Sequence, residues 1–154
     1  MLNKKIFICV ILSCGLVLTA IFFYNKKENG LTHINMMLAK ENRKAVSWLM
    51  NDLRRAGAST MVNLPANGKT YHAVNFKMDN EQVVTRYFLS KEKLIRTYAG
   101  NSEVIADHVL KMELQRQAAT SDIVDVALSI GEAKNFFHRG FQINSNFKIK
   151  VRNQ

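Results

Sequence analysis

The residues able to do chemistry are few and widely spaced. His33, His72, His108 and His138 stand singly, and the only cysteines, Cys9 and Cys14, lie inside an apolar run. Metal sites draw His, Cys and carboxylate ligands from short, fixed spacings, and no such spacing occurs here. Each histidine is therefore read as a surface or sheet residue, and both cysteines as small apolar filling. With no cysteine beyond residue 14, the rest of the chain is expected to lack a disulfide. Asp122 and Asp125 stand three apart on an expected strand, where alternation sends them to opposite faces and prevents them from sharing a proton. There is no phosphate-cradling glycine loop, no Gly-x-Ser-x-Gly elbow and no His-Glu-x-x-His helix. The reading is a protein that is not an enzyme, with no catalytic, cofactor-binding or metal-binding residues.

One constellation could bind a ligand. Between Lys134 and Arg152 stand Lys134, Arg139, Lys148, Lys150 and Arg152 with no acid, and Phe136, Phe137, Phe141 and Phe147 lie among them. Basic groups interleaved with aromatic rings can track a nucleic-acid backbone while bases stack. The simpler reading puts the phenylalanines in a core and Lys148, Lys150 and Arg152 on the solvated face of a strand, where charge discourages edge pairing. The whole chain carries 22 Lys and Arg against 12 Asp and Glu, a net +10, of which Lys4 and Lys5 supply two. That balance favours anionic partners: lipid head groups, nucleic acid or an acidic protein face.

The elements that would position these residues follow from pattern. Ile6 to Tyr24 is an uncharged apolar run, long enough at about 1.5 Å per residue to span a bilayer core. It has no well-placed small-x-small cleavage site, so it reads as an uncleaved anchor. Lys26 and Lys27 then fit a membrane-edge position, although basic residues on both flanks leave the orientation open. Past this junction, Ile34, Met37, Leu38, Ala45, Trp48, Leu49, Leu53 and Ala56 recur at helical steps and form one stripe. Gly57 is expected to close that helix in a left-handed conformation, with Arg54 and Arg55 at its negative end. The period then changes to two. Residues 73–78 and 81–90 read as a hairpin, 93–99 as a third strand of a meander ending in a turn at Ala99 to Ser102, and 108–117, 123–130 and 146–153 as further strands. A length of 154 residues suits the anchor plus one domain of about 130 residues.

A membrane helix running into an amphipathic helix that ends in Asp52-Leu53-Arg54-Arg55-Ala56-Gly57, then an antiparallel sheet closing on Val151-Arg152-Asn153, resembles the type IV pilin and type II secretion pseudopilin superfamily. The minor J-like and W-like members are the most similar. Val83 to Val109 is similar too: a strand ending in a turn, a Leu94-Ile95-Arg96 strand, and a short segment ending in valine. The resemblance implies an α+β, pilin-like fold, with an anchor helix at 1–24, an amphipathic helix at 25–58 and an antiparallel sheet at 59–154. It implies a minor pilin or pseudopilin, a structural and assembly subunit of a type IV pilus-like or type II secretion filament. Its site would be the inner (cytoplasmic) membrane, crossed once, with the sheet domain extracytoplasmic. Its partners would be other pilin or pseudopilin subunits and the inner-membrane assembly platform. The superfamily's prepilin peptidase motif is missing: Ala20 stands where a leader ending at Gly15 would require Glu, and Asn35 where one ending at Gly30 would. An unprocessed subunit at a tip or initiating position is therefore expected. The alternative from another class is a membrane-anchored extracytoplasmic module that binds DNA or another polyanion.

Overall fold

The structure, a computed structural model, describes residues 2–78, 81–132 and 140–152; along the first helix, the side chains of 2–16, 20, 22, 23, 25–29 and 31 lie outside the description. Helix α1 (Leu2–Arg55) is followed by β1 (Thr70–Tyr71), β2 (Ala73–Lys77), β3 (Val84–Ser90), β4 (Lys93–Tyr98), β5 (Asn101–Ala106), β6 (Val109–Arg116), β7 (Ile123–Gly131) and β8 (Gln142–Lys150). The chain divides into two compact units, Met1–Met37 and Leu38–Gln154. All eight strands among the described residues belong to the second.

The strands form two four-stranded antiparallel sheets, in the orders β1-β6-β7-β8 and β2-β3-β4-β5. Only His72 separates β1 from β2, and only Asp107 and His108 separate β5 from β6, so the chain turns a corner from one sheet into the other at each place. His108 takes a positive φ of 59° to make its corner, and its carbonyl accepts from Gly131 N–H at 2.8 Å. The core is lined by the inward residues of both sheets, among them Val74, Phe76, Tyr87, Leu94, Leu114, Val126 and Leu128. On the helix, Leu38, Ala45, Leu49, Leu53 and Ala56 are buried, which is the stripe expected from spacing. Trp48 departs from it, being only half-buried.

The expected fold class is corrected on two points. First, the folded unit is mainly β and has two sheets where one was expected. The meander gains a fourth strand because Asn101 and Ser102, read as turn residues, already pair with Tyr98 and Thr97. The last strand begins at Gln142, ahead of the expected residue 146. Second, among the described residues no helix is long and apolar enough to cross a membrane. That finding overturns the single-pass anchor and the inner-membrane localisation that rested on it. In the part of α1 whose side chains are described without gaps, residues 32–55, Lys40, Glu41, Arg43, Lys44, Asp52, Arg54 and Arg55 interrupt any apolar window. The run Ile6 to Tyr24 falls mostly on side chains outside the description, as do Cys9, Cys14, Lys26 and Lys27.

The helix end also differs from expectation. Gly57 is extended, at φ −77° and ψ 131°, because the chain passes directly from α1 into β-type bridges. Ala56 bridges Met78 and Gly57 bridges Arg152; Arg152 N–H donates to Ala56 O at 3.0 Å and Ala58 N–H to Arg152 O at 2.8 Å. The segment that follows is held by a buried guanidinium. Arg116, 6% exposed, donates from Nη1 to the carbonyls of Leu64 (2.9 Å) and Ala58 (3.2 Å), and from Nε to that of Ser121 (2.9 Å). Burial pushes its pKa below the ordinary arginine value. Three carbonyl dipoles thus partly replace the water that this cation has lost.

Candidate functional site

The most elaborate polar cluster among the described residues joins the helix to the sheet β2-β3-β4-β5. Tyr87 on β3 and Arg96 on β4 are direct cross-strand partners, and α1 lays Asp52 against both. Asp52 Oδ2 accepts from Tyr87 OH at 2.8 Å and from Arg96 Nε at 2.7 Å. Asp52 is 5% exposed and Tyr87 0%. The Arg96 guanidinium carbon lies 5.0 Å from the centroids of both the Trp48 and Tyr98 rings. Trp48 precedes Asp52 by one helical turn, so it reaches the same cation from the same helix face. This is why Trp48 stays half-buried: its ring covers Arg96.

Chemically, the cluster is suited to holding the helix against the sheet. Burial, then the Asp52 carboxylate, pushes the Tyr87 phenol well above the ordinary tyrosine range, so it donates and does not act as a base. For Arg96, burial acts against the charge, but the bond to Asp52 outweighs it and raises the pKa. A phenol whose pKa is raised on folding contributes stability that is complete below the unfolded value, about 10, and is lost as pH rises beyond it, since the unfolded chain then releases a proton that the folded chain keeps. Wild type is expected to lose stability relative to Tyr87→Phe by about 1.4 kcal/mol per pH unit above about pH 10. Urea midpoints of the two proteins measured across that range check this, and parallel curves would show that Tyr87 titrates alike folded and unfolded.

Two more contacts fix the helix. Glu41 Oε2 accepts from Asp107 N–H at 3.1 Å, at one corner between the sheets, and Asn42 and Ser145 on β8 exchange hydrogen bonds of 2.9 and 3.1 Å.

The basic constellation is broken up. Lys148 pairs with Asp125 at 3.3 Å and Lys150 reaches Asp122 at 3.6 Å, so both carboxylates serve one face of β8. The expectation that they diverge fails because Asp122 precedes β7, and strand alternation does not govern it. Phe147 is half-buried and Phe141 is 41% exposed; Lys134, Phe136, Phe137 and Arg139 lie outside the described residues. The histidines are not brought together. His33 is on the helix, His72 and His108 occupy the two corners, and His138 lies outside the described residues. Among the described residues no group of three His, Cys, Asp or Glu could hold a metal ion.

Sequence reasoning missed the Asp52, Tyr87 and Arg96 cluster, although each residue lies in a stretch it had marked. An acid on the otherwise apolar helix stripe was the available signal, since a buried carboxylate requires a cation opposite. Comparison with protein-family models, curated proteins and solved structures finds no match.

Proposed function

We propose that this chain is a structural and assembly subunit, of the minor pilin or pseudopilin kind that its sequence resembles, and that its work is association. One observation carries the reading: the separate stretches that bear the resemblance are bonded to one another in the folded chain. The helix end supplies Asp52 to Arg96 of the Leu94-Ile95-Arg96 strand, and the two residues just past it, Ala56 and Gly57, join Arg152 beyond β8. A subunit that passes load between a helix and its domain needs such a junction, and side-chain bonds at several points make it stiff. In the N-terminal unit, Val17, Leu18, Ile21 and Tyr24 are exposed, which leaves apolar side chains available for packing against the helices of neighbouring subunits.

The polyanion reading is less well supported, because Lys148 and Lys150 already face Asp125 and Asp122. A photo-cross-linking residue placed at Tyr24 of the full chain, in the producing cell, separates the two. Cross-links to small proteins with apolar N-terminal helices are expected. In parallel, the full chain is expected to bind single- and double-stranded DNA only weakly. Tight binding that is lost on changing Lys148, Lys150 and Arg152 together to Gln, with a salt slope falling by roughly two to three units, would establish the alternative if no cross-links formed.

A further inference from the structure

The β2-β3-β4-β5 sheet has an outer face that the mechanism of helix attachment does not use. Cross-strand register sets Ala73, Phe88, Ile95 and Val104 in one row across all four strands. At the β2 end this row opens into a groove of about 760 Å³, walled by Val62, Asn63, Tyr71, His72, Arg86 and Phe88. Val62, on the wall that Arg116 fixes from behind, is 87% exposed, an unusual position for a large apolar side chain.

Three features define what fits. The groove cannot take an added strand, because the open edge of β2 is already occupied: Asn63 accepts from Asn75 N–H at 2.6 Å and donates to Ala73 O at 3.3 Å, and Thr60 Oγ1 accepts from Lys77 N–H at 3.1 Å. An occupant must therefore lie across the strands and engage side chains. Among the residues that line the groove, Arg86 is the one fixed charge and no acid accompanies it. Its guanidinium carbon lies over the Phe88 ring, 4.7 Å from the centroid, and the side chain is exposed, so its N–H groups are accessible to a carboxylate. Finally, His72 Nδ1 stands 3.1 Å from the carbonyl of Met112; a carbonyl only accepts, so Nδ1 carries the proton and Nε2 of the neutral ring is an acceptor. The groove thus offers an apolar bed, a cation for an acid, and an acceptor for an N–H.

We infer that this groove docks an acidic, apolar peptide segment of a partner protein, with a carboxylate on Arg86, a backbone N–H on His72, and apolar side chains against Phe88 and Val62. The inference does not depend on the filament reading, since it uses no residue of the helix. The probes are end-blocked, fluorescein-labelled peptides alternating Leu with Glu, Leu with Lys, and Ser with Glu, titrated into the full chain and followed by anisotropy. The Leu/Glu peptide is expected to bind and the other two to bind at least about tenfold more weakly. Arg86→Glu should weaken the Leu/Glu peptide by about thirtyfold and shift preference to the Leu/Lys peptide, which only a folded groove can do. Val62→Asp, at an exposed loop position, should also weaken it, while Lys148→Glu, on the other sheet, should not. Equal binding of the Leu/Glu and Leu/Lys peptides, or wild-type binding by both groove variants, would overturn the proposal. So would Arg86-dependent binding of phosphatidylglycerol vesicles or a single-stranded DNA 12-mer in the absence of peptide binding.

Discussion

Replacing Asp52 by Ala is expected to destabilise the domain by about 3 to 5 kcal/mol, because it leaves Arg96 and the Tyr87 hydroxyl without their shared acceptor. The Asp52 side chain is 7% exposed and that of Arg96 13%, so water cannot readily take the place of the lost carboxylate. The pair's net worth is a separate matter, since desolvating both ions cancels much of their attraction. Changing Asp52, Arg96 and Tyr87 together to Leu, Met and Phe should therefore recover most of the loss. Trp48, the chain's single tryptophan, lies against Arg96 and reports the unfolding by fluorescence. An Asp52→Ala protein with the urea midpoint of wild type would show that the bond to Arg96 is not maintained in solution.

That cluster also shows what a one-dimensional pattern can and cannot convey. The stripe from Ile34 to Ala56 was legible because burial repeats with the helix period, and five of its eight positions are fully buried. Strands β2, β3, β4, β6 and β7 were legible because apolar residues alternate or run together between polar breaks. β5 was not, because Asn101 and Ser102 look like a turn, and only pairing with β4 makes them a strand. The turn before β4 is similarly disguised: Lys91 and Glu92 both take positive φ, 49° and 60°, in a two-residue hairpin usually signalled by Asn-Gly. Ala99 and Gly100, at φ 50° and 80°, repeat the geometry, and there the glycine was a usable sign.

The division into two sheets depends on the corners at His72 and at Asp107 and His108, which carry no glycine or proline. Nothing in their types announces a change of sheet. The membrane expectation failed for a different reason. It rested on the composition of a nineteen-residue run that lies mostly outside the described side chains, whereas the fully described part of α1, residues 32–55, is too charged to cross a bilayer. Site residues were hidden in the same way: Asp52 and Arg96 are 44 positions apart, and a polar residue on an apolar stripe reveals that it has a partner without revealing which.

Leu53→Ala tests the same junction from its apolar side and is expected to cost about 2 to 5 kcal/mol, the range for deleting a fully buried leucine whose surroundings cannot collapse into the space. Leu53 is 0% exposed in the same helical turn that carries Asp52 and leads into the Ala56 and Gly57 bridges, so the cavity would open at the helix end. Met36→Ala, at a position 61% exposed, should change stability by no more than about 0.5 kcal/mol, which confines the effect to the buried face of α1. Because Asp52 and Leu53 share one helical turn, their losses should not add: once either is gone, the last turn of α1 is already free to leave the sheet. Amide exchange would show this as lost protection at Leu53 to Gly57 in each single variant, with little further loss in the double. Additive losses, or a Leu53→Ala protein that melts like wild type, would mean that the helix end is not held as one cooperative unit, and the stiff junction on which the assembly reading depends would then be absent.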